Sequence, residues 1–140
     1  MKRVLIVDAL NAYLRAYIVD PSLSVHGQPI GGLRGFIKIL QKLIRDMRPN
    51  QVVVVWDGPN GSRKRKTMNK NYKAGRKPIR LNRAYHNLTE DEELKNKIWQ
   101  QGRIITYLNN MPIIQTMIEE VEADDVIAYV TQMSYYKGWQ

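Results

Sequence analysis

Two short runs of apolar residues, each followed by an aspartate, constrain the fold of this chain more than any other feature. The runs cover residues 4–7, before Asp8, and residues 52–56, before Asp57. Both are rich in β-branched residues and contain no polar position, which is typical of strands buried on both faces of a sheet. We therefore expect two central strands that each lead into a carboxylate.

A helical pattern separates these two runs. Apolar residues recur there at helical spacing, after Gly31-Gly32 and before Pro49. These residues are Leu33, Phe36, Ile37, Leu40, Leu43, Ile44 and Met47. A strand, a helix and a second strand in this order favour a right-handed crossover with parallel strands. The pattern predicts an α/β fold, with a mostly parallel central sheet and flanking helices.

The second half of the chain continues the alternation. Thr89 and Glu92 have the spacing of a capping box and predict a helix that ends near Asn109. Its inward face is predicted from its apolar residues, which are Leu94, Ile98, Ile105 and Leu108. Residues 113–114 fit a short third strand, and residues 122–136 fit a final helix.

The charge of the chain is high and unevenly distributed. The formal net charge is +9, and ten Lys or Arg residues lie between Arg63 and Arg83 with no acidic residue among them. Such a run indicates either a nucleic-acid contact or a solvated surface. The absence of cysteine excludes disulfides and thiolate metal sites and fits a reducing cytoplasm. No apolar run approaches the roughly 18 residues of a membrane span.

Acidic residues follow each predicted strand. Asp8 and Asp57 come directly after the first two, and Glu122, Asp124 and Asp125 open the helix after the third. Parallel strands end at one edge of a sheet, where carboxylates would repel one another unless a cation is present. Oxygen ligands without His or Cys favour Mg²⁺ or Mn²⁺, which can activate water for displacement at phosphorus. Alternatively, each residue is a turn, a cap or a complement to the helix dipole.

At these residues the chain resembles the 5′ nuclease family, which includes flap endonucleases, phage 5′–3′ exonucleases and the 5′-nuclease domain of bacterial DNA polymerase I. The order and approximate spacing of the shared motifs agree over nearly the whole chain. The motifs are Val7-Asp8 with Arg15, Trp56-Asp57-Gly58, Tyr72-Lys73-Ala74-Gly75-Arg76 and Glu122-Ala123-Asp124-Asp125. The resemblance implies a PIN-like 5′ nuclease core.

The resemblance also implies roles for individual residues. The metal-site carboxylates would be Asp8, Asp57, Glu122, Asp124 and Asp125. The catalytic cations would be Lys73 and Arg76, reaching the scissile phosphate from a basic arch or gateway over about residues 58–88, and substrate binding would involve Arg15, Arg65 and Tyr72. Lys73 could instead be an ordinary phosphate anchor, and Tyr72 could be a packing residue rather than a base-stacking one.

The function implied by the resemblance is Mg²⁺-dependent hydrolysis of phosphodiesters near the 5′ ends of DNA flaps or RNA–DNA hybrids, in a bacterial or phage-infected cell. Family members carry a further strand with two aspartates and a helical DNA-binding element. We therefore expect residues 1–140 to be an amino-terminal portion, truncated at the carboxyl end, with a second polypeptide as a possible source of the rest. The alternatives are a nucleic-acid-binding fragment with an incomplete metal site, and a PIN-type ribonuclease.

Overall fold

The structure, a computed structural model, describes residues 1–59 and 88–140. Within these ranges the chain forms two compact units. The first, here called the sheet unit, contains residues 1–10, 47–59 and 113–140. The second, called the helical unit, contains residues 11–46 and 88–112. In the described ranges, no helix combines the length and the apolar character that crossing a membrane requires.

The sheet unit is built on three parallel strands. These are β1 (Val4–Asp8), β2 (Gln51–Trp56) and β3 (Ile114–Met117), in the order β1-β2-β3. The first two predicted strands are confirmed. The third starts one residue later than predicted and extends to Met117, because its polar Gln115 is stabilised by a hydrogen bond from the indole N–H of Trp56 (3.0 Å).

A helix of the same unit packs on this sheet. Helix α4 (Ala123–Thr131) places Ala123, Val126 and Val130 against Val53 and Val55 of β2, forming the core of the unit. The helix ends five residues before the predicted limit and is followed by a short 3₁₀ turn, Ser134–Tyr136. The amides of Gln132 and Met133 already bond to carbonyls three residues back, which tightens the last turn and ends the helix.

The last residue of the chain lies beside the start of β1. The Gln140 amide donates to the Lys2 carbonyl, and the Val4 amide donates to the Gln140 carbonyl, both at 2.9 Å. This alternation is the pattern of a parallel ladder. It places the segment after α4 at the amino edge of the sheet, the edge at which the strands begin.

The helical unit contains most of α1 (Ala9–Val19) and α2 (Gly31–Met47), together with α3 (Glu90–Asn109). The predictions of α2 and α3 are confirmed, including the cap of α3 by Thr89, whose hydroxyl accepts from the Glu92 amide at 3.1 Å. Helix α1 was not predicted, because its apolar residues surround the helix rather than forming one stripe. A Cβ on Gly32 would lie 2.3 Å from the ring of Tyr13, so this glycine permits close packing of α2 on α1.

The predicted inward face of α3 is wrong. Leu94, Ile98 and Ile105 are exposed, and only Leu108 of the predicted set is buried. The buried face consists of Glu93, Lys97, Gln100, Ile104 and Leu108.

Hydrogen bonds explain why polar residues occupy the buried face of α3. The Tyr17 hydroxyl donates to the Glu93 carboxylate, and the Gln100 side chain accepts from the Leu33 amide at 2.8 Å. Burying a polar group is costly only when it lacks a partner. Hydropathy alone therefore misassigned the face, because the partners come from α1 and from the start of α2.

Asp20 makes the stability of the helical unit depend on pH. The Ser22 hydroxyl and amide both donate to the Asp20 carboxylate, and Arg34 is nearby. The Ser22 side-chain hydrogen bond is the largest cause that holds the pKa of Asp20 below its usual 3.8, although partial burial opposes it. Because the folded pKa is the lower one, this stabilisation is present above about pH 4 and is lost as the pH falls through the folded pKa.

A Ser22→Ala variant tests this linkage. We expect it to cost about 1 kcal/mol of unfolding free energy at pH 7, the usual contribution of one hydrogen bond, and clearly less at an acidic pH well below the ordinary aspartate pKa of 3.8, where protonation removes the Asp20 charge. Urea unfolding of the variant and the parent chain at the two pH values measures the difference. An equal cost at both values would contradict a role for the Asp20 charge.

Candidate active site

The two strand-end aspartates lie on neighbouring strands at the same edge of the sheet. Asp8, the last residue of β1, is in register with Val55 of β2, and Asp57 comes two residues after Val55. Both side chains are half-buried. The ends of parallel strands therefore bring together two carboxylates that are 49 positions apart in sequence.

Gly58 allows the loop after β3 to approach this edge. Its amide donates to the Val121 carbonyl at 3.1 Å, and a Cβ at this position would lie 1.8 Å from the Ile118 carbonyl oxygen. No side chain fits there without a shift of the backbone. The sequence predicted Gly58 only as part of a motif and did not reveal this close approach. The position of a glycine directly after a strand-end aspartate could have indicated it.

Asp57 holds the start of α4. Its Oδ1 accepts from the Ala123 amide at 2.7 Å. Glu122 occupies the cap position of α4 but makes no side-chain cap hydrogen bond there. A carboxylate that accepts from the first amides of a helix also interacts favourably with the helix dipole. Asp57 therefore connects the end of β2 to the beginning of α4.

The three acidic residues at the start of α4 lie in different environments. Glu122 is only 4% exposed, whereas Asp124 and Asp125 are exposed. The predicted start of this helix at Glu122 is one residue too early, because Glu122 precedes the helix with an extended backbone (φ −71°, ψ 153°). That conformation turns the Glu122 side chain towards the interior.

The donor atoms at this edge suit a hard divalent cation, since they are all carboxylate oxygens. Within residues 1–59 and 88–140, however, no group of three or more acidic or histidine side chains is close enough to hold a metal ion. The backbone thus brings the carboxylates to one edge, while no three of their side chains converge on one point. Mutual repulsion favours such divergence. The assignment of Asp8, Asp57, Glu122, Asp124 and Asp125 as metal ligands stays a prediction.

The predicted phosphate-binding residues lie elsewhere in the chain. Arg15 is an exposed residue of α1, within the helical unit. Arg65, Tyr72, Lys73 and Arg76 lie outside the described residues, and so does most of the predicted arch segment. Outside residues 60–87 the sequence has 12 Lys or Arg and 13 Asp or Glu, so the excess positive charge comes entirely from that segment.

Comparison with known proteins identifies the family. The family described as 5′–3′ exonuclease, N-terminal resolvase-like domain, matches residues 3–140. The chain belongs to this family. The resemblance inferred from the motifs is thereby confirmed.

Curated relatives are considerably longer than this chain. A 5′–3′ exonuclease of Aquifex aeolicus is 30% identical across the whole chain, which covers 44% of that relative. The flap endonuclease Xni of Shewanella piezotolerans is 33% identical over 91% of the chain and 43% of its own length. The chain therefore spans less than half the length of these relatives.

Solved structures of a phage nuclease share the fold. The T5 protein co-crystallised with metal ions superposes with a TM-score of 0.65 at 19% identity, over 94% of this chain and 44% of its own. The bacteriophage T5 flap endonuclease in complex with DNA and metal ions gives a TM-score of 0.59 at 16% identity, over 97% and 46%. The α/β fold class with a parallel sheet and flanking helices is confirmed.

Proposed function

We propose that this chain is the amino-terminal part of a divalent-metal-dependent 5′ nuclease that hydrolyses phosphodiesters near the 5′ ends of DNA flaps or RNA–DNA hybrids. The main observation that supports the proposal is the hydrogen bond from the Ala123 amide to the Asp57 carboxylate, at 2.7 Å. It joins the end of β2, which lies beside Asp8, to the acidic start of α4. Membership of the 5′–3′ exonuclease family supports the same chemistry.

Mg²⁺, or Mn²⁺ in its place, is the proposed cofactor. Asp8, Asp57 and Glu122 would hold it together with Asp124 and Asp125, directly or through water. Such an ion would activate water and stabilise the charge that develops at phosphorus. The all-oxygen donor set at one sheet edge supports this assignment, and the phage T5 structures with metal ions are of the same fold.

The cations of the chain would act on the nucleic acid. Lys73 and Arg76 are the proposed catalytic cations near the scissile phosphate, where a fixed positive charge stabilises the transition state. Arg15 and Arg65 would neutralise neighbouring phosphates, and Tyr72 would stack on a base. The excess positive charge of residues 60–87, here called the basic segment, supports this division of roles between the acidic edge of the sheet and the cations.

A nucleic-acid-binding fragment is the second candidate. The observation that favours it is the lack of an assembled group of three metal-binding side chains in the part of the chain that the structure describes. In that case the basic segment would grip DNA, and a second polypeptide would have to supply the remaining ligands. Binding would then persist in chelator and weaken steeply with salt.

Incubation of the purified chain with three labelled substrates distinguishes the candidates. The substrates are a 5′-labelled DNA flap, an RNA–DNA hybrid and a single-stranded RNA, each with Mg²⁺ or with excess chelator. We expect short 5′ products from the flap or the hybrid in Mg²⁺ and none in chelator, because the carboxylates need the cation to activate water.

Two other outcomes would favour the other candidates over a chain that cleaves nucleic acid on its own. Tight, salt-sensitive binding without cleavage would identify a binding fragment. Metal-dependent cutting of the RNA strand in every context, with the DNA flap intact, would favour a PIN-type ribonuclease.

A bacterial or phage-infected cytoplasm is the proposed location, on the basis of the lack of cysteine and the bacterial relatives.

A further inference from the structure

Charges are segregated between the two edges of the sheet unit. In its described part, all seven carboxylates lie at or just beyond the carboxyl ends of the strands; they are Asp8, Asp57, Glu119, Glu120, Glu122, Asp124 and Asp125. All four Lys or Arg residues of the same part lie at the amino edge; they are Lys2, Arg3, Arg48 and Lys137. The amino edge is therefore a cationic surface, opposite the candidate active site.

Aromatic side chains cluster at this amino edge. The ring of Trp139 lies 5.6 Å from that of Tyr135 and 5.2 Å from that of Tyr136. The Lys2 ammonium lies 5.4 Å from the centre of the Trp139 ring, within cation–π range. Cation and aromatic rings thus form one continuous surface.

Gln51, the first residue of β2, holds two of these rings in place. Its amide nitrogen donates to the Tyr135 hydroxyl, and its carbonyl oxygen accepts from the Tyr136 hydroxyl, both at 2.9 Å. Partial burial raises the pKa of Tyr136 above its ordinary value of 10.0, in keeping with a protonated hydroxyl that donates. The ring of Tyr135 is therefore oriented before any ligand arrives.

A cleft of about 390 Å³ opens beside the cluster. It is lined by Tyr129, Gln132, Met133, Ser134 and Tyr135. The two tyrosines are 70% and 58% exposed, although aromatic rings of this size normally bury much of their surface. Gln132 and Ser134 add hydrogen-bonding groups beside the two exposed rings.

The combination of exposed tyrosine rings with nearby lysines fits the chemistry of single-stranded DNA. Unpaired bases present flat faces to aromatic rings, and each is attached to a phosphate that a nearby ammonium can neutralise. A duplex keeps its base faces stacked and offers none to a tyrosine. The same cations would attract an acidic peptide, but a peptide without aromatic or planar groups would not use the two exposed rings.

We propose that the amino edge of the sheet is a second nucleic-acid site, where Tyr129 and Tyr135 stack on bases of single-stranded DNA while Lys2 and Lys137 contact its phosphates. The site is separate from the carboxylates at the opposite edge and does not require a metal ion. It goes beyond the proposed nuclease function, and it would hold a single strand away from the cleavage point.

Photocrosslinking in chelator tests the site without any cleavage. The probe is a 12-nucleotide oligothymidylate in which one base is 5-iododeoxyuridine, and crosslinked peptides are mapped by mass spectrometry. We expect crosslinks to Tyr129 or Tyr135. Tyr129→Ala should lower the yield of crosslinks at this surface about tenfold, the scale of one lost base–aromatic stack, whereas Tyr129→Phe should retain it.

Matched variants distinguish a loss of base stacking from unfolding of the chain and from DNA binding by the basic segment. Tyr107→Ala removes a tyrosine of α3 that is 45% exposed and should leave the crosslinks unchanged. Lys137→Ala should weaken them without disturbing Gln51. Crosslinks confined to other residues, no binding of the oligonucleotide, an unchanged yield in Tyr129→Ala, or displacement only by an acidic peptide would overturn the proposal. None of these outcomes depends on nuclease activity.

Discussion

An Asp57→Asn variant should lose at least about tenfold in Mn²⁺ affinity while its unfolding free energy stays within about 0.5 kcal/mol of the parent chain. The Asn carbonyl oxygen can still accept from the Ala123 amide, because Asn and Asp cap helices about equally well. The negative charge that a metal ion needs is lost. Removing even an outer partner of a metal ligand costs about 10- to 100-fold in affinity, so loss of a charged ligand should cost no less.

Calorimetric titration with Mn²⁺ and urea unfolding measure the two effects on the same protein. Asp57→Ala provides the comparison, since it should lose the cap as well and so cost about 1 kcal/mol of stability. Asp46→Asn, an exposed carboxylate at the end of α2, controls for a general change of charge. Undiminished Mn²⁺ affinity in a folded Asp57→Asn variant would remove Asp57 from the metal site.

A Gly58→Ala variant should lose about 3 kcal/mol of unfolding free energy. The added Cβ would lie 1.8 Å from the Ile118 carbonyl oxygen and 3.1 Å from the Cα of Glu119, both of which are backbone atoms. Only a movement of the loop can relieve the overlap, and overpacking of this kind costs about 1–3 kcal/mol or more. The same movement would break the bond between the Gly58 amide and the Val121 carbonyl.

Gly102→Ala is the matched control for this prediction. Among the residues that the structure describes, a Cβ on Gly102, inside α3, meets no atom within 4 Å beyond its own helix backbone, so alanine there should stabilise the chain by about 1 kcal/mol through helix propensity. Thermal and urea unfolding of the two variants should therefore shift in opposite directions. A Gly58→Ala variant as stable as the parent would show that the loop after β3 does not need its close approach to Asp57.

The local sequence pattern was sufficient to predict most strands and helices of the fold. Runs of β-branched residues predicted β1 and β2, and helical spacing with start and stop residues predicted α2 and α3. The prediction failed for α1, whose apolar residues lie all around the helix. It also failed for the inward face of α3, where Glu93 and Gln100 are buried because groups on other segments donate hydrogen bonds to them.

The candidate site was likewise only partly predictable from the sequence. Sequence reasoning identified Asp8 and Asp57 because a strand and the residue that ends it are adjacent in the chain. It could not find the cap that Asp57 provides to α4, since the two groups are 66 positions apart. Nor could it find the cationic and aromatic surface at the amino edge, whose members come from four segments: the residues before β1, the start of β2, α4 and the turn after α4.

The sequence by itself determined which segments become strands and helices, that acidic residues follow each strand, and which family the motifs resemble. These properties depend on short-range preferences and on hydrophobic period, which are present in any window of the chain. Tertiary structure alone decided which polar groups are buried, which carboxylate holds which helix, and that cations and acids occupy opposite edges of the sheet. Those outcomes depend on hydrogen-bond partners and strand register, which exist only after distant segments have packed together.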